Sequence, residues 1–543
     1  MQVFRTGRKG LSRFIVLGVL AVVLLIASLA AAEPRTRGLA INTLIAVSSV
    51  VALSVPAGTL LALLLVRTDL PGRRAAMRIL GLMLLVPLYL QAAAWQAGFG
   101  LQGWFPAATG GRMWLEGWTA VCWIHAMAAV PWVVWIVGSG LRLVEPELEE
   151  QALLDGSARQ VFLRVTLPAA MPAVGVAALW VAIAVAGEMT VTDLFAVRTY
   201  AEEIYTRLAV EQELGAGPLG LVSGTMLVLS LAAIGLLVCT AIAPGDRLLS
   251  LRRQRLFQLR AWRWPLAAAV LLVMLLVAAV PLGNLLYQAG EKIVPTGGAT
   301  LETWSPPLRS WSAAKCIGGI LRGLLLHPRE FGASALIAGL AATTAVGMAI
   351  PLAALARRGR GWSLPLLLPA GFLAAIPGPV LGLSIIWLLD RPELPGLAYL
   401  YSHSILAPWL ALTARAFPPA ALIVWHALQT VPREMMECAA VDGAGPWTRL
   451  LRIALPTVLP ALAAAWLVGL AVALGDLAAS ILVVPPGVKT LSIQVFELLH
   501  YGVQDRVAGI CLALVALFVV VAALAGGLMR VFGRDWPSPT NYN

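Results

Sequence analysis

The sequence predicts an all-α polytopic membrane protein with about twelve transmembrane helices, arranged as two parallel six-helix repeats. Three observations predict this fold: an apolar composition, a series of long uncharged runs, and one basic loop that occurs twice. Of the 543 residues, 60% are hydrophobic and only 12% are charged, whereas a soluble domain carries about 25% charged residues. That charge is too little to cover a soluble protein of this size, so the bilayer must solvate most of the chain.

The net charge of +12 would suit a nucleic-acid partner, but the arrangement of the basic residues excludes one. They occur in short clusters between apolar runs and do not line one face of a soluble domain. The positive-inside rule predicts such clusters in the cytoplasmic loops of a membrane protein. We therefore expect the lipid bilayer, and no nucleic acid, as the surroundings of this chain.

Runs free of Asp, Glu, Lys and Arg mark the predicted spans, because each is long enough to hold a membrane helix of about 20 residues. We number them spans 1 to 12; only span 10 is interrupted, by Arg415. The runs are 14–32, 38–66, 79–111, 117–141, 165–187, 214–245, 264–290, 331–356, 361–389, 394–432, 453–475 and 507–529.

The basic residues also predict the orientation of the spans. Arg and Lys precede span 1, recur in every even-numbered connection and follow span 12, whereas the connection after span 5 is acidic. Both termini and the even-numbered loops should therefore be cytoplasmic. The basic start, the apolar run 14–32 and Ala30-Ala31-Ala32 also resemble a cleaved signal peptide. We favour a retained helix, because a run of 19 residues is longer than the apolar core of a usual signal peptide.

Self-comparison reveals an internal repeat. Residues 145–168 and 431–456 align at an offset of 287 positions, which becomes 288 after a one-residue gap in the first copy. Each loop follows the fourth span of its half, so the halves are parallel. We expect two domains, 1–250 and 251–543. The matches are Glu150/Glu437, Ala152/Ala439, Asp155-Gly156/Asp442-Gly443, Leu167-Pro168/Leu455-Pro456, Pro131/Pro418, Gly187-Glu188/Gly475-Asp476 and Val86-Pro87/Ile376-Pro377.

The repeated loops have the chemistry of a helix–turn–helix across the cytoplasmic mouth. Small residues, Ala152 in the first loop and Ala439 and Ala440 in the second, allow another backbone to approach closely. Asp-Gly then reverses the chain, since glycine tolerates a positive φ. Leu-Pro begins the next span, because proline fits the first turn of a helix. A rigid element of this kind can transmit the motion of a partner to two spans.

At these residues the sequence resembles the permeases of bacterial ATP-binding-cassette importers, whose signature is E-A-A, three residues, Gly, nine residues, Ile, one residue, L-P. The second loop matches it with Cys438 in place of the first Ala. The first loop has Gln151 for Ala, Val165 for Ile and one residue fewer after the glycine. The matching positions are Glu150, Ala152, Gly156, Leu167 and Pro168 in the first loop, and Glu437, Ala439, Gly443, Ile453, Leu455 and Pro456 in the second.

The resemblance implies that each loop is a coupling helix seated on one of two ATP-binding subunits. It also implies a periplasmic or lipid-anchored solute-binding protein and a location in the bacterial inner membrane. The fused twelve-span form, Gly-Glu or Gly-Asp after each loop, and the segment 199–208 look most like ferric iron transport permeases. Relatives in that branch carry thiamine, sulfate, molybdate, polyamines or phosphonate. Ferric iron is thus the best guess for the solute.

The sequence contains no set of residues with the spacing of a catalytic, cofactor-binding or metal-binding site. No G-x-x-x-x-G-K-[ST] motif occurs, and the five Cys and five His are scattered, so ATP hydrolysis is expected on a separate subunit. The alternative is a secondary transporter driven by an ion gradient. Residues 69–74, DLPGRR, faintly resemble a basic loop of that class. The repeated loops after spans 4 and 10 have no role there.

Three charged residues are candidates for the translocation pathway. Arg415 interrupts span 10, and a charge in mid-membrane costs about 2.5–3.5 kcal/mol, so it should face the pathway, a carboxylate or helix-end carbonyls. Glu188 and Asp476 end spans 5 and 11 in equivalent places. They could line the pathway and favour cations, or they could cap a helix or pair with arginine. His125 in span 4 is expected to be a packed or interfacial histidine.

Overall fold

A computed structural model of the chain describes residues 34–101, 103–142, 144, 146–210, 256–294, 308–501 and 504–532. Predicted spans 1 and 6, and both termini, lie outside these residues. The described part is almost entirely helical, as the composition predicts. Its two strands, Glu291–Val294 and Leu308–Trp311, form one antiparallel sheet, and an isolated parallel bridge joins Thr68 to Phe257.

The first half carries spans 2 to 5 among its described residues. A π turn, Phe162–Thr166, leads from the first repeated loop into span 5. The helices are Pro34–Arg67, Arg73–Met83, Leu88–Phe99, Trp104–Thr109, Gly117–Arg142, Pro146–Asp155, Ala158–Val161, Leu167–Ala186, Thr190–Leu194 and Tyr200–Val210.

The second half repeats this order with additions. Its π turns are Leu275–Ala279 in span 7 and Leu450–Ala454 before span 11, and its 3-10 turns are Arg260–Trp262 and Arg360–Ser363. The helices are Arg263–Met274, Val280–Gly290, Ala313–Leu326, Pro328–Ala356, Leu364–Ala375, Gly378–Leu389, Pro395–His403, Leu406–Gln429, Arg433–Val441, Pro446–Arg449, Leu455–Thr457, Leu459–Gly475, Leu491–His500 and Gln504–Phe532.

Six helices in the described part are long and apolar enough to cross a membrane, and nine spans result if each strongly bent helix pair counts as one. The helix Gln504–Phe532, at the place of span 12, has 29 residues. This architecture confirms the polytopic all-α class. The total of twelve spans stays a prediction.

Spans 3 and 9 are not the continuous helices that the uncharged runs predict. Each is broken at its proline, with bends of 103° before Pro87 and 110° before Pro377. The backbone at both prolines is extended, with ψ of 152° and 143°. Proline has no N–H to donate, and its ring excludes the preceding turn of a helix. Hydropathy alone cannot reveal such breaks, because the broken segments remain apolar.

Each half is built around the same three packed helices. Spans 2, 4 and 5 pack together in the first half, and spans 8, 10 and 11 in the second. Small residues let these helices approach closely: a Cβ added to Gly58 would lie 2.6 Å from the Val133 side chain, and one added to Gly140 would lie 2.3 Å from Ala173. The repeat seen in the sequence is thus also a repeat of packing.

Candidate functional site

A cavity of about 220 Å³ lies where the two halves meet, and both halves line it. Its walls come from the break of span 3 and from spans 4, 5, 9, 10 and 11. Apolar and small residues dominate, and the polar lining includes Gln91, His125, Glu188, Arg415 and Asp476. All three charged residues singled out in the sequence therefore reach one cavity.

The halves meet at this cavity through a reciprocal contact of glycine and proline. A Cβ added to Gly475 would lie 3.2 Å from the Pro87 Cβ of the opposite half, and one added to Gly187 would lie 3.4 Å from the Pro377 Cα. The glycine that ends span 5 or 11 thus lies against the proline that breaks span 9 or 3. These small residues place the acid that follows each glycine at the cavity wall.

Asp476 forms an ion pair with Arg415. The Arg415 Nε donates to the Asp476 Oδ2 at 2.7 Å, and the Arg415 Nη1 donates to the Ile376 carbonyl at 3.0 Å. The Ala479 backbone N–H donates to the other carboxylate oxygen at 2.8 Å. Of the alternatives open for these residues, pairing, capping and cavity lining all occur together. The charge inside span 10 is compensated, as its cost in the membrane requires.

Glu188 has the same arrangement with a different base. Its carboxylate accepts backbone N–H bonds from Thr190 at 2.6 Å and Val191 at 3.0 Å, and it lies 3.2 Å from the His125 Nε2. The His125 Nδ1 lies 2.8 Å from the Val121 carbonyl, which can only accept, so Nδ1 carries a proton. The Nε2 can donate to Glu188 only when the ring is doubly protonated.

The two bases do not occupy equivalent positions. At the offset of 287, His125 aligns with Leu412 and Arg415 aligns with Ala128, so the bases stand three residues apart on equivalent helices. One helical turn separates such positions, and both lie on the same face. His125 is buried, as expected of a packed histidine, but its pairing with Glu188 was missed. The sequence signal for this pairing was the equivalence of Glu188 and Asp476, because two acids at the ends of apolar spans should each need a basic partner.

The repeated loops lie at the opposite ends of spans 5 and 11. In the first half the 20-residue helix Leu167–Ala186 separates the loop from the cavity by about 30 Å. Each loop is a helix, a turn and a second short helix. Exposed positions are Glu150, Asp155, Pro168, Glu437, Ala440, Asp442, Gly443 and Pro456; partly buried positions are Ala152, Gly156, Leu167, Ala439, Ile453 and Leu455.

The turns of the two loops differ. Gly443 has a φ of 82°, as the Asp-Gly pattern predicts. The same prediction is wrong for Gly156, whose φ is not positive. The first loop is one residue shorter, and Ser157 instead caps the next short helix in a capping box with Gln160.

One apolar residue stands out of each loop at the same aligned position. Leu154 and Val441, 287 positions apart, are 86% and 88% exposed, and each directly precedes Asp-Gly. A matched pair of protruding apolar side chains at a loop tip is what a docking partner would cover. The sequence could not reveal them, because the phase of each short helix decides which side chains protrude.

These features define a class: a two-repeat, multi-pass transport protein with a pathway-like cavity between its halves. The chain belongs to the family described as the binding-protein-dependent transport system inner membrane component, which matches residues 54–288 and 344–536. It is therefore an integral membrane permease of the ATP-binding-cassette importer family. The secondary-transporter alternative is set aside by this membership.

Individual relatives are distant and match only parts of the chain. A Salmonella paratyphi A permease protein, PhnV, named for 2-aminoethylphosphonate transport, is 29% identical over 116 residues, covering 21% of this chain and 44% of the relative. The putrescine permease protein PotI of Escherichia coli K12 is 28% identical over 204 residues, covering 36% and 71%. The spermidine/putrescine permease protein PotC of the same organism is 25% identical over 142 residues, covering 26% and 50%.

Proposed function

We propose that this chain forms the translocation pathway of an ATP-driven importer, with one ATP-binding subunit docked under each repeated loop. A periplasmic or lipid-anchored binding protein delivers a small solute to the opposite face, and both termini are cytoplasmic. Domains 1–250 and 251–543 each supply one loop and one side of the cavity. ATP is hydrolysed on the separate subunits. The observation that carries this proposal is the matched exposure of Leu154 and Val441.

The architecture supports a mechanical link from each loop to the cavity. The first loop continues through a π turn into span 5, and the second continues through a π turn and a 78° bend at Val458 into span 11. Each span ends at the glycine and the acid beside the cavity. A displacement of the loop by an ATP-binding subunit would move the acid and its glycine–proline contact. Loop and cavity would then be two remote sites that bias one conformational equilibrium.

The solute is a separate part of the proposal. Ferric iron is the solute that the resemblance of the fused form supports, with thiamine, sulfate, molybdate, polyamine or phosphonate as alternatives. The relatives reported above are named for phosphonate and polyamine transport. Glu188 and Asp476 are both engaged by bases and backbone amides. Since both carboxylates already accept hydrogen bonds within the protein, we assign the choice of solute mainly to the binding protein.

The test is co-purification of the permease with its ATP-binding subunit, together with identification of the ligand on the binding protein. Leu154→Asp and Val441→Asp should each weaken capture of the ATP-binding subunit, and the double variant should abolish it. Tyr501→Asp is the matched control, because Tyr501 is 79% exposed and lies in the connection between spans 11 and 12, opposite the repeated loops in the predicted topology. Capture of the ATP-binding subunit by the double variant at the wild-type level would refute the docking assignment.

A further inference from the structure

The first repeated loop is tied to the bundle by a buried ion pair that the transport proposal does not use. Arg67, the last residue of the span 2 helix, donates from Nη2 to the Glu149 carboxylate, and both side chains are 0% exposed. The Thr166 hydroxyl, where the π turn meets span 5, donates to the other Glu149 oxygen at 2.6 Å. We call Arg67, Glu149 and Thr166 the buried clamp. It joins the first loop to spans 2 and 5.

The segment that leads into the second half is bound to the same place. The Phe257 N–H donates to the Arg67 carbonyl at 2.8 Å, and the Asp69 N–H donates to the Phe257 carbonyl at 3.3 Å. The Phe257 ring centroid lies 6.0 Å from the Arg67 guanidinium carbon and 5.6 Å from the Phe162 ring centroid. The Leu259 N–H donates to the Asp69 carboxylate at 2.9 Å. The first loop, span 2, span 5 and this connecting segment therefore form one cluster.

The second loop has no such clamp among the described residues. The aligned positions are Arg357, at the offset of 290 set by Pro87 and Pro377, Met436 at 287 and Ala454 at 288. The arginine is kept, but the acid and the hydroxyl are both replaced by apolar side chains. Arg357 donates instead to the Val431 backbone carbonyl at 2.9 Å. Burial and the nearby Arg433 lower the pKa of Arg357, as expected of an arginine that has no carboxylate partner in the described part of the chain.

The two attachments differ in what a displacement would cost. Moving the first loop away from span 2 would separate two opposite charges in a fully buried site, where each depends on the other for compensation. Moving the second loop would break a bond to one backbone carbonyl and shift apolar contacts. Apolar contacts are not directional and can slide. The first loop must therefore move together with spans 2 and 5, whereas the second can shift against span 8.

We propose that the two loops are mechanically inequivalent. The buried clamp holds the first loop rigidly to spans 2 and 5, whereas the second loop, which has no such clamp, can shift relative to span 8. This inference rests on the proposed docking of an ATP-binding subunit at each loop. Two similar subunits would then meet a rigid contact on one side and a compliant contact on the other. The two residues that make the loops different, Glu149 and Thr166, do not belong to the importer signature that both loops match.

Hydrogen–deuterium exchange of the full-length permease in lipid nanodiscs tests the mechanical claim without any ATP-binding subunit. Amides in 146–166 should have protection factors about tenfold higher than those in 433–454. The variant Glu149→Met with Thr166→Ala gives the first loop the residues that stand at the aligned positions of the second loop. The chain already accommodates these residues beside Arg357. The variant should lower protection in 146–166 about tenfold and leave 433–454 unchanged. Equal protection of the two loops in the wild type, or an unchanged first loop in the variant, would overturn the proposal.

A second variant tests whether the uncompensated charge of Arg67, and not the loss of the ion pair, loosens the first loop. Arg67→Met with Glu149→Met removes both charges and should still loosen the first loop, because apolar contacts are less directional than the ion pair. If this double variant kept wild-type protection, the ion pair could not be what fixes the loop. The reverse graft, Met436→Glu with Ala454→Thr, should give Arg357 a partner and raise protection in 433–454. No gain of protection in the graft would also count against the clamp.

The functional consequence is measured in the complex with the ATP-binding subunits and the binding protein. The variant Glu149→Met with Thr166→Ala should still bind the ATP-binding subunits, because it keeps Leu154 and the other exposed side chains of the first loop. Solute uptake per ATP hydrolysed should fall several-fold. Unchanged uptake per ATP would contradict the role of the buried clamp in coupling. Failure of the docking proposal would be recognised separately, by normal binding of the ATP-binding subunit to the Leu154→Asp variant.

Discussion

Pro87 of the first half lies against Gly475 of the second, 3.2 Å from the position that a Cβ on that glycine would take. The equivalent contact joins Pro377 and Gly187 across the same cavity. Each proline breaks its own span, and each glycine precedes the acid at the cavity wall. The two halves therefore meet where their spans are bent and least covered by side chains, which suits a place where the halves must move relative to each other.

Enlarging Gly475 should push the halves apart at the cavity. Gly475→Val should destabilise the permease by about 1–3 kcal/mol through overpacking against Pro87 and should strongly reduce transport. Gly175→Ala in span 5 is the control, because nothing lies within 4 Å of its added Cβ. Thermal unfolding and uptake assays provide the measurements. Wild-type transport by Gly475→Val would show that the contact is not required for function.

Removing one partner of the Arg415–Asp476 pair should be more harmful than removing both. Arg415→Met alone leaves the largely buried Asp476 uncompensated and should cost about 3 kcal/mol. Arg415→Met combined with Asp476→Leu should recover part of that loss, because no unpaired charge remains. A double-mutant cycle on thermal stability in detergent measures the coupling. Additive effects of the two substitutions would argue against an energetically coupled pair.

His500 should make the contact between the halves dependent on pH. Its Nε2 lies 3.1 Å from the Asp193 Oδ2 of the first half, and this bond raises the pKa of His500 against the opposing effect of burial. A raised pKa in the folded state means that the stabilisation is present at low pH and is lost as the pH rises through that pKa.

The pair is partly exposed, so the effect should be about 0.5 kcal/mol. His500→Gln should lower the melting temperature more at pH 5.5 than at pH 8.5. His403→Gln is the control, because no carboxylate pairs with His403 in the described part of the chain. An equal loss for His500→Gln at both pH values would contradict this assignment.

The two loop glycines should respond differently to alanine. Gly443 has a φ of 82°, so Gly443→Ala should cost about 1 kcal/mol locally. Gly156 lacks a positive φ, and the tightest contact of its added Cβ would be the Gln160 Oε1 at 3.1 Å, at the end of a flexible side chain. Gly156→Ala should therefore be milder. Binding of the ATP-binding subunit to each variant, measured by titration, would show the difference; a stronger effect at Gly156 would run against the geometry.

The sequence predicted the features that depend on composition and on repetition. Uncharged runs mark spans 2, 4, 5, 7 and 8 closely, and the two aligned loops are helices with a turn at the predicted place. The breaks at Pro87 and Pro377 escaped prediction, because an uncharged run measures hydropathy and not backbone continuity. The partner of Glu188 and the protrusion of Leu154 and Val441 depend on the rotation of helices about their axes, which a single sequence leaves undetermined.

The matched exposure of Leu154 and Val441 supports two docking sites, and site-directed cross-linking tests them most directly. Cysteine would be placed at each position in turn, after replacing the exposed Cys438 by Ala. Both Leu154→Cys and Val441→Cys should form a cross-link to the ATP-binding subunit in the assembled importer, with Tyr501→Cys as the unreactive control. Cross-linking at both loops is the result predicted here. A complex that assembles and transports while neither cysteine cross-links would contradict the account.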